Sequence, residues 1–260
     1  MLSYSAGIFF ILCAALGGYH VRSLTKSGSL ASFIVGLLIF IGFQWKGLII
    51  LGLFFVSSSS WSKYKKQRKK SLEDMLEKGD RRDWVQVAAN GGIAGLASIW
   101  SAVQPDMAAT VCFLTAFAAA NADTWASEIG VLSKTKPFHL IRGKFVEKGT
   151  SGAVSILGTA ASFGGALLIG CAGWMLFSGI NAASAAIIIS MGFCGSVVDT
   201  ILGGTIQAKY SCTACGIVTE KRSHCGKSTK LYSGMAWCNN DAVNVLSIFV
   251  AVLAVFLIYG

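Results

Sequence analysis

The chain has 260 residues, 54% hydrophobic and only 13% charged, with a mean hydropathy of +0.63 and a formal net charge of +10. A water-soluble domain carries about 25% charged residues, so polar groups are too few here to cover a single soluble core. The positive charge sits in short segments between apolar runs, without interleaved aromatics or a reader motif, which excludes a nucleic-acid surface and leaves a membrane bundle.

A bilayer-crossing helix needs about 20 mostly apolar residues. Eight such segments are expected, at 4–20, 29–44, 47–61, 84–103, 107–131, 151–177, 184–208 and 239–259. The predicted fold is an all-α, polytopic transmembrane helix bundle in one domain over 1–260. It carries a basic loop at 62–83 and a Cys-containing loop at 209–238. Nothing positive precedes the first run and Arg22 follows it, so it reads as a first crossing, not a cleaved signal. The second and third runs are short and meet at Trp45-Lys46. Six crossings with a re-entrant pair is therefore the alternative. Gly91, Gly92, Gly95, Gly164, Gly165, Gly203 and Gly204 lie within spans, where small residues let helix backbones approach.

The alternate loops 21–28, 62–83, 132–150 and 209–238 hold 2, 9, 5 and 5 Lys and Arg residues, leaving only Lys46 elsewhere. Basic loops stay in the cytosol. This places the chain in the cell membrane with both termini outside. Within 62–83, a basic run at 63–70 precedes mixed charge, and Ser71 with Asp74 resembles a capping box opening a short surface helix. The plain role of that loop is orientation against anionic lipid; the other is recruitment of an anionic substrate.

Ionisable groups inside spans cost about 2.5–3.5 kcal/mol each at mid-helix. Asp123 and Glu128 lie in the fifth span and Asp199 in the seventh, while Asp241 opens the eighth beside Asn239 and Asn240. Asn90 and Asn121 add amides at similar depth. Asp123 is about ten residues, roughly 15 Å, from the cytosolic end of its helix, and the other acids are as close or closer. The outer half offers only Asp106. A one-sided polar pocket favours chemistry at the cytosolic leaflet over a path through the membrane. Asn121, Thr124 and Glu128 share a helix face. Acids with amides and hydroxyls suit Mg²⁺, so Asp123, Glu128 and Asp199 are the predicted ligands. Interhelical hydrogen bonding accounts for Asn90 or Thr124 alone.

Lys148-Gly149-Thr150-Ser151-Gly152 opens the sixth predicted span, where free N–H groups and the helix dipole would hold an anion. Arg142 and Lys144 precede it. The same residues also read as an ordinary N-cap. Carboxylates with Mg²⁺ and a phosphate cradle are complementary parts of phosphoryl transfer. On that reading Asp123, Glu128, Lys148, Asp199 and Asp241 are catalytic. Arg142, Lys144, Gly149, Thr150, Ser151, Gly152, Asn90, Asn121 and Asn240 bind substrate.

Cys13, Cys112, Cys171 and Cys194 fall in apolar runs and act as small hydrophobes. Cys212, Cys215, Cys225 and Cys238 belong to a loop in the reducing cytosol, so no disulfides are expected. Cys212-x-x-Cys215 is half of a zinc site. Its other half, His224-Cys225, is a pair of neighbours that cannot easily both ligate, and Cys238 is an alternative fourth ligand. Free thiols are the expectation and zinc is disfavoured.

Ala122-Asp123-Thr124-Trp125-Ala126-Ser127-Glu128-Ile129-Gly130, Gly149-Thr150-Ser151-Gly152, Asp199-Thr200 and Asn239-Asn240-Asp241-Ala242-Val243-Asn244 together resemble a widespread integral membrane family. Many of its bacterial members are uncharacterised, and its plastid and cyanobacterial members are phytyl-phosphate kinases. The similarity covers nearly the whole chain. It implies nucleotide-dependent conversion of an isoprenoid monophosphate to its diphosphate, with CTP or ATP as donor. A looser similarity links Asp123-x-x-Ala126-x-x-x-Gly130, and in part Lys148-Gly149-Thr150-Ser151-Gly152, to polyprenol kinases and CDP-diacylglycerol synthases. The expected partners are the bilayer and an isoprenoid phosphate. A small-solute or ion transporter using the same acids for coupling is the alternative function, and a non-catalytic scaffold the third.

Overall fold

The computed structural model describes residues 2–65, 79 and 81–260. The Ser71 and Asp74 capping box lies outside the described residues. Seven helices are described: α1 (Leu2–His20), α2 (Lys26–Lys63), α3 (Trp84–Val103), α4 (Met107–Gly130), α5 (Ile156–Leu176), α6 (Ala182–Thr205) and α7 (Asn240–Tyr259). Four of them, α2, α5, α6 and α7, are long and apolar enough to cross a membrane. Unpaired backbone N–H groups are costly in an apolar medium, and six helix starts are satisfied by side chains. Thr25, Asp83, Asp106, Ser155, Asn181 and Asn239 each accept from a backbone N–H three residues on.

Helix α2 contains a break at Gln44 (φ 52°, ψ −142°). A continuous helix of 38 residues would hold its ends about 57 Å apart, yet both ends of α2 meet Arg82. The Arg82 carbonyl accepts from Thr25 N at 3.0 Å, and its Nη1 donates to Ser59 Oγ at 2.9 Å. The chain therefore reverses around Gln44, and α2 is a hairpin of two helical arms. These arms are the second and third apolar runs. The first packs on α3, where a methyl group on Gly42 would sit 2.1 Å from Ser98 O. The second packs on α4, with the Phe54 and Phe117 rings 5.5 Å apart.

Helix α4 is the centre of the bundle, with every residue from 111 to 122 buried. A helix apolar all round is an interior helix. Its alanines receive the glycines of its neighbours: Gly192 and Gly195 of α6 meet Ala118 and Ala119, and Gly165 of α5 meets Asn121 and Ala122. Asn121 is fully buried. Its Oδ1 accepts from Ser57 Oγ (3.1 Å) and Ser58 Oγ (3.2 Å), and its Nδ2 donates to Gly165 O (2.9 Å). One amide thus joins the hairpin, α4 and α5. Asn121→Ala is expected to lower stability by about 1–3 kcal/mol, because it takes a hydrogen-bond partner from the buried Ser58 hydroxyl and Gly165 carbonyl. Reversible unfolding in mixed micelles reads this.

Two expectations are corrected here. The span placed at 151–177 starts as a helix only at Ile156, and the one placed at 184–208 ends at Thr205. The connections are not irregular loops in an all-α fold. Strands β1 (Phe138–His139), β2 (Lys144–Phe145) and β3 (Ala153–Val154) form an antiparallel sheet ordered β2-β1-β3. β4 (Lys209–Ser211), β5 (Val218–Thr219) and β8 (Lys230–Ser233) form a second, ordered β5-β4-β8, and β6 (Ser223–His224) pairs with β7 (Lys227–Ser228). These strands are two to four residues long, too short for alternation to register as a sequence pattern.

Candidate functional site

At the end of the bundle that carries Arg82, Lys148 and Lys209, a cavity of about 220 Å³ opens between α4, α5, α6 and the two sheet-bearing connections. The close approach of α6 to α4 through Gly192 and Gly195 continues along both helices and brings Asp123 beside Asp199 on the cavity wall. The two half-buried carboxyl groups lie within hydrogen-bonding reach of each other, and Ser247 Oγ of α7 donates to Asp199 Oδ2 at 3.1 Å. Two adjacent carboxylates repel unless a proton or a cation lies between them. Paired acids facing a cavity suit a hard cation that keeps further oxygen ligands from a substrate.

Opposite the acids runs the turn Lys148-Gly149-Thr150-Ser151-Gly152. Gly149 and Gly152 hold φ of 83° and 89°, which glycine adopts without side-chain strain. The turn is anchored by Leu140 N donating to Gly152 O (3.1 Å) and by Thr150 Oγ1 donating to Glu147 O (2.7 Å). Lys148 lines the cavity and its Nζ donates to Ser133 O. The turn does not open a helix, contrary to expectation. Strand β3 intervenes, and the α5 N-terminus, capped by Ser155, forms a separate part of the wall.

The second connection closes over this turn. Glu220 Oε1 accepts from Ser151 Oγ (2.9 Å) and from Gln207 Nε2 (2.7 Å), while Lys209 Nζ donates to Ser151 O (3.1 Å). Burial and the nearby Arg142 hold the Lys209 pKa below its usual value, opposed in part by Glu220. Beneath the turn lies His139, fully buried, whose Nδ1 accepts from Arg142 N at 3.3 Å. Burial first, then Arg142, Lys209 and Lys144, push its pKa down, so the ring is neutral at neutral pH. Gln207, Lys209, Glu220, His139 and Ser247 carry no motif and escape sequence reading.

Of the predicted site residues, Asp123, Asp199, Lys148, Gly149, Thr150, Ser151, Gly152 and Asn240 line this one cavity. The others lie elsewhere. Glu128 accepts from Ser62 Oγ at 2.6 Å, facing the hairpin and Arg82. Asn121 is spent on the three bonds above, and Asn90 donates to Gln86 O at 2.9 Å. Asp241 is buried in the first turn of α7. Arg142 and Lys144 are exposed beyond the cavity. Cys212, Cys215 and Cys225 do not line it.

A second cavity, about 360 Å³, lies at the opposite end and is lined by Lys46, Asp106 and Phe177. The packed middle of α4 separates the two.

Comparison with known proteins agrees with a membrane bundle. The family described as integral membrane protein DUF92 matches residues 9–252. Protein PGR of Arabidopsis thaliana is 31% identical, over 93% of this chain and 92% of its own length. An uncharacterized membrane protein of Methanocaldococcus jannaschii is 34% identical, over 78% of this chain and 82% of its own. Protein VTE6, chloroplastic, of Arabidopsis thaliana is 24% identical, over 88% of this chain and 63% of its own. No solved structure matches. The chain belongs to the DUF92 family of integral membrane proteins.

Proposed function

We propose that this protein is a membrane-embedded kinase that converts an isoprenoid monophosphate to the diphosphate at the cytosolic leaflet of the cell membrane. The observation that carries the reading is the Asp123 and Asp199 pair facing the 148–152 turn across one cavity at the basic end. The resemblance of the same strings to a family that contains phytyl-phosphate kinases supports it. The donor set fits Mg²⁺, two carboxylates being the usual protein share of a site completed by phosphate oxygens. Bound there, the ion would supply charge neutralisation at the transferring phosphoryl group.

The residues do the rest by placement. The 148–152 turn and Lys148 hold phosphate, with Glu220 and Lys209 fixing the turn. The acceptor is already an anionic nucleophile. Its oxygen forms a bond to the γ-phosphorus of the nucleoside triphosphate as the bond to the β–γ bridging oxygen breaks, and the nucleoside diphosphate leaves with that electron pair. No general base is required. Phe193 and Val197 line the same cavity, and Val197 is exposed on the helix flank, giving a prenyl chain a lateral way into lipid. The hairpin tip at Lys46 reaches the far cavity beside Phe177, which supports counting its arms as two of eight crossings. The apolar middle of α4 between the cavities speaks against a solute path.

The test is transfer of label from γ-labelled CTP or ATP to prenyl monophosphates by purified protein in detergent with Mg²⁺. Label in a prenyl diphosphate is expected. Folded protein that labels no prenyl or polyprenyl acceptor from either donor overturns the reading and turns attention to uptake in liposomes.

A further inference from the structure

The second connection holds a cluster outside the cavity that the proposed chemistry does not use. One ligand atom from each of Cys212, Cys215, His224 and Cys225 lies within 4.8 Å of the others. Among the described residues this is the group of three or more His, Cys, Asp and Glu side chains close enough together to hold one metal ion without help from a substrate. We propose that these four residues bind one Zn²⁺, and that the ion fixes the loop that closes over the 148–152 turn. The site stands on its own geometry and does not depend on the kinase reading.

The separations suit zinc. Tetrahedral coordination with Zn–S of about 2.3 Å and Zn–N of about 2.05 Å sets S···N edges of about 3.5 Å and S···S edges of about 3.8 Å. His224 Nδ1 lies 3.4 Å from Cys215 Sγ and 3.2 Å from Cys225 Sγ. Three sulfurs and one imidazole are a standard structural zinc set, and soft thiolates exclude Mg²⁺ and Ca²⁺.

The backbone around both pairs is shaped for the purpose. Cys212-Thr213-Ala214-Cys215 folds into a tight turn in which Gly216 N donates to Cys212 O at 2.9 Å and Gly216 takes φ 75°. Within it the N–H groups of Ala214 (3.4 Å) and Cys215 point at Cys212 Sγ, as donors to a metal-bound thiolate do. On the other side, β6 and β7 are joined by Cys225 and Gly226 with φ of 52° and 71°. Positive φ at both central positions makes a two-residue hairpin turn in which Asn-Gly or Asp-Gly is ordinarily found. A cysteine there is strained, and such strain concentrates at functional sites. The left-handed residue also swings the Cys225 thiol back toward the His224 ring. This removes the objection drawn from the sequence, that neighbouring His224 and Cys225 cannot reach one ion. Cys238, the alternative fourth ligand, is buried apart from the cluster.

The consequence for the fold is direct. The zinc unit spans 212–225, and strand β5 and Glu220 lie inside that interval. Three thiolates and a neutral imidazole would leave the zinc centre with one net negative charge, and Lys221, Arg222 and Lys227 lie near its ligands in the sequence. Tying the Cys-x-x-Cys turn to the β6–β7 hairpin closes a loop around Glu220 and holds it against Ser151.

The full chain, purified in detergent through a tag free of histidine, is expected to contain one zinc per chain by mass spectrometry. Cys215→Ser and Cys225→Ser are expected to lose it, while His224→Cys, which restores a fourth sulfur, and Cys238→Ser keep it. A measurement on the unaltered protein guards against misfolded variants: modification of thiols should release one zinc as three cysteines react, and chelation should open 209–238 to protease. Zinc at background level, zinc unchanged in Cys215→Ser, or a disulfide within the cluster in protein made under reducing conditions overturns the proposal. None of these readouts requires kinase activity.

Discussion

Asp123→Asn is expected to reduce phosphoryl transfer at least about a hundredfold, the size of loss that follows removal of one preorganised electrostatic group. The substitution keeps the shape of the side chain and its capacity to bond to Asp199, so packing between α4 and α6 is preserved. What it removes is half of the negative charge that would hold a divalent cation against the cavity wall. Asp199→Asn should do the same, with Ser247 still able to donate to the remaining oxygen. The double variant should fall little below either single one, because groups that act as a unit lose most of their effect with the first member. The Mg²⁺ concentration giving half-maximal rate should rise in each single variant, while KM for the lipid changes little. Glu128→Gln should act instead on stability, since its carboxylate serves Ser62 and faces Arg82 away from the cavity. The labelled-nucleotide assay with a Mg²⁺ titration reads the aspartate variants, and unfolding in mixed micelles reads Glu128→Gln. Full transfer by Asp123→Asn would sink the assignment of the acids.

The contrast between Asp123 and Glu128 shows what periodicity can and cannot deliver. Asn121 and Glu128 share a helix face, as their spacing requires, and that face does meet one partner: both bond to serines of the second hairpin arm. Asp123 lies two residues, about 200°, round the helix from Asn121, and looks the other way into the cavity. Spacing groups residues into faces, but only the neighbours decide which face is the site. The helices themselves were legible, because long apolar runs separated by short polar or basic loops announce the spans, whereas the caps at Thr25, Asp83, Asp106, Asn181 and Asn239 emerge only from the structure. The reversal at Gln44 was visible only as two short runs meeting, since no Pro or Asn-Gly marks it and the nearby Gly42 and Gly47 serve close packing against Ser98, Ile39 and Phe43. The sheets at 138–154 and 209–233 were hidden because strands of two to four residues carry no pattern. Glu220 and Lys209 read as solvated loop charges, and only tertiary closure takes them to Ser151.

Gly152→Ala is the second large effect expected, and it concerns the turn rather than the acids. A methyl group there would sit 2.3 Å from Gly204 Cα and 2.8 Å from Gly204 N. Both are backbone atoms of α6 and cannot rotate away. The residue also holds φ 89°, where a side chain is strained. Left-handed strain of about 1–3 kcal/mol adds to a backbone displacement costing about 1–3 kcal/mol, so a loss of about 2–6 kcal/mol in stability is expected. The surviving folded protein should lose transfer by about a hundredfold, because moving the turn by about 1 Å misplaces the phosphate against the carboxylates. Gly143→Ala isolates the strain: φ is 61° and nothing lies within 4 Å of the added methyl group, so it should cost only about 1 kcal/mol and leave transfer intact. Gly204→Ala isolates the crowding: its methyl group would meet Gly152 Cα and His139 Cε1 at 3.2 Å from a helical backbone, and an intermediate loss is expected. Unfolding in mixed micelles together with the transfer assay ranks the three. If Gly152→Ala behaves like Gly143→Ala, the turn does not lean on α6, and its position opposite Asp199 must be held by its hydrogen bonds to Leu140, Glu147, Ser133, Glu220 and Lys209.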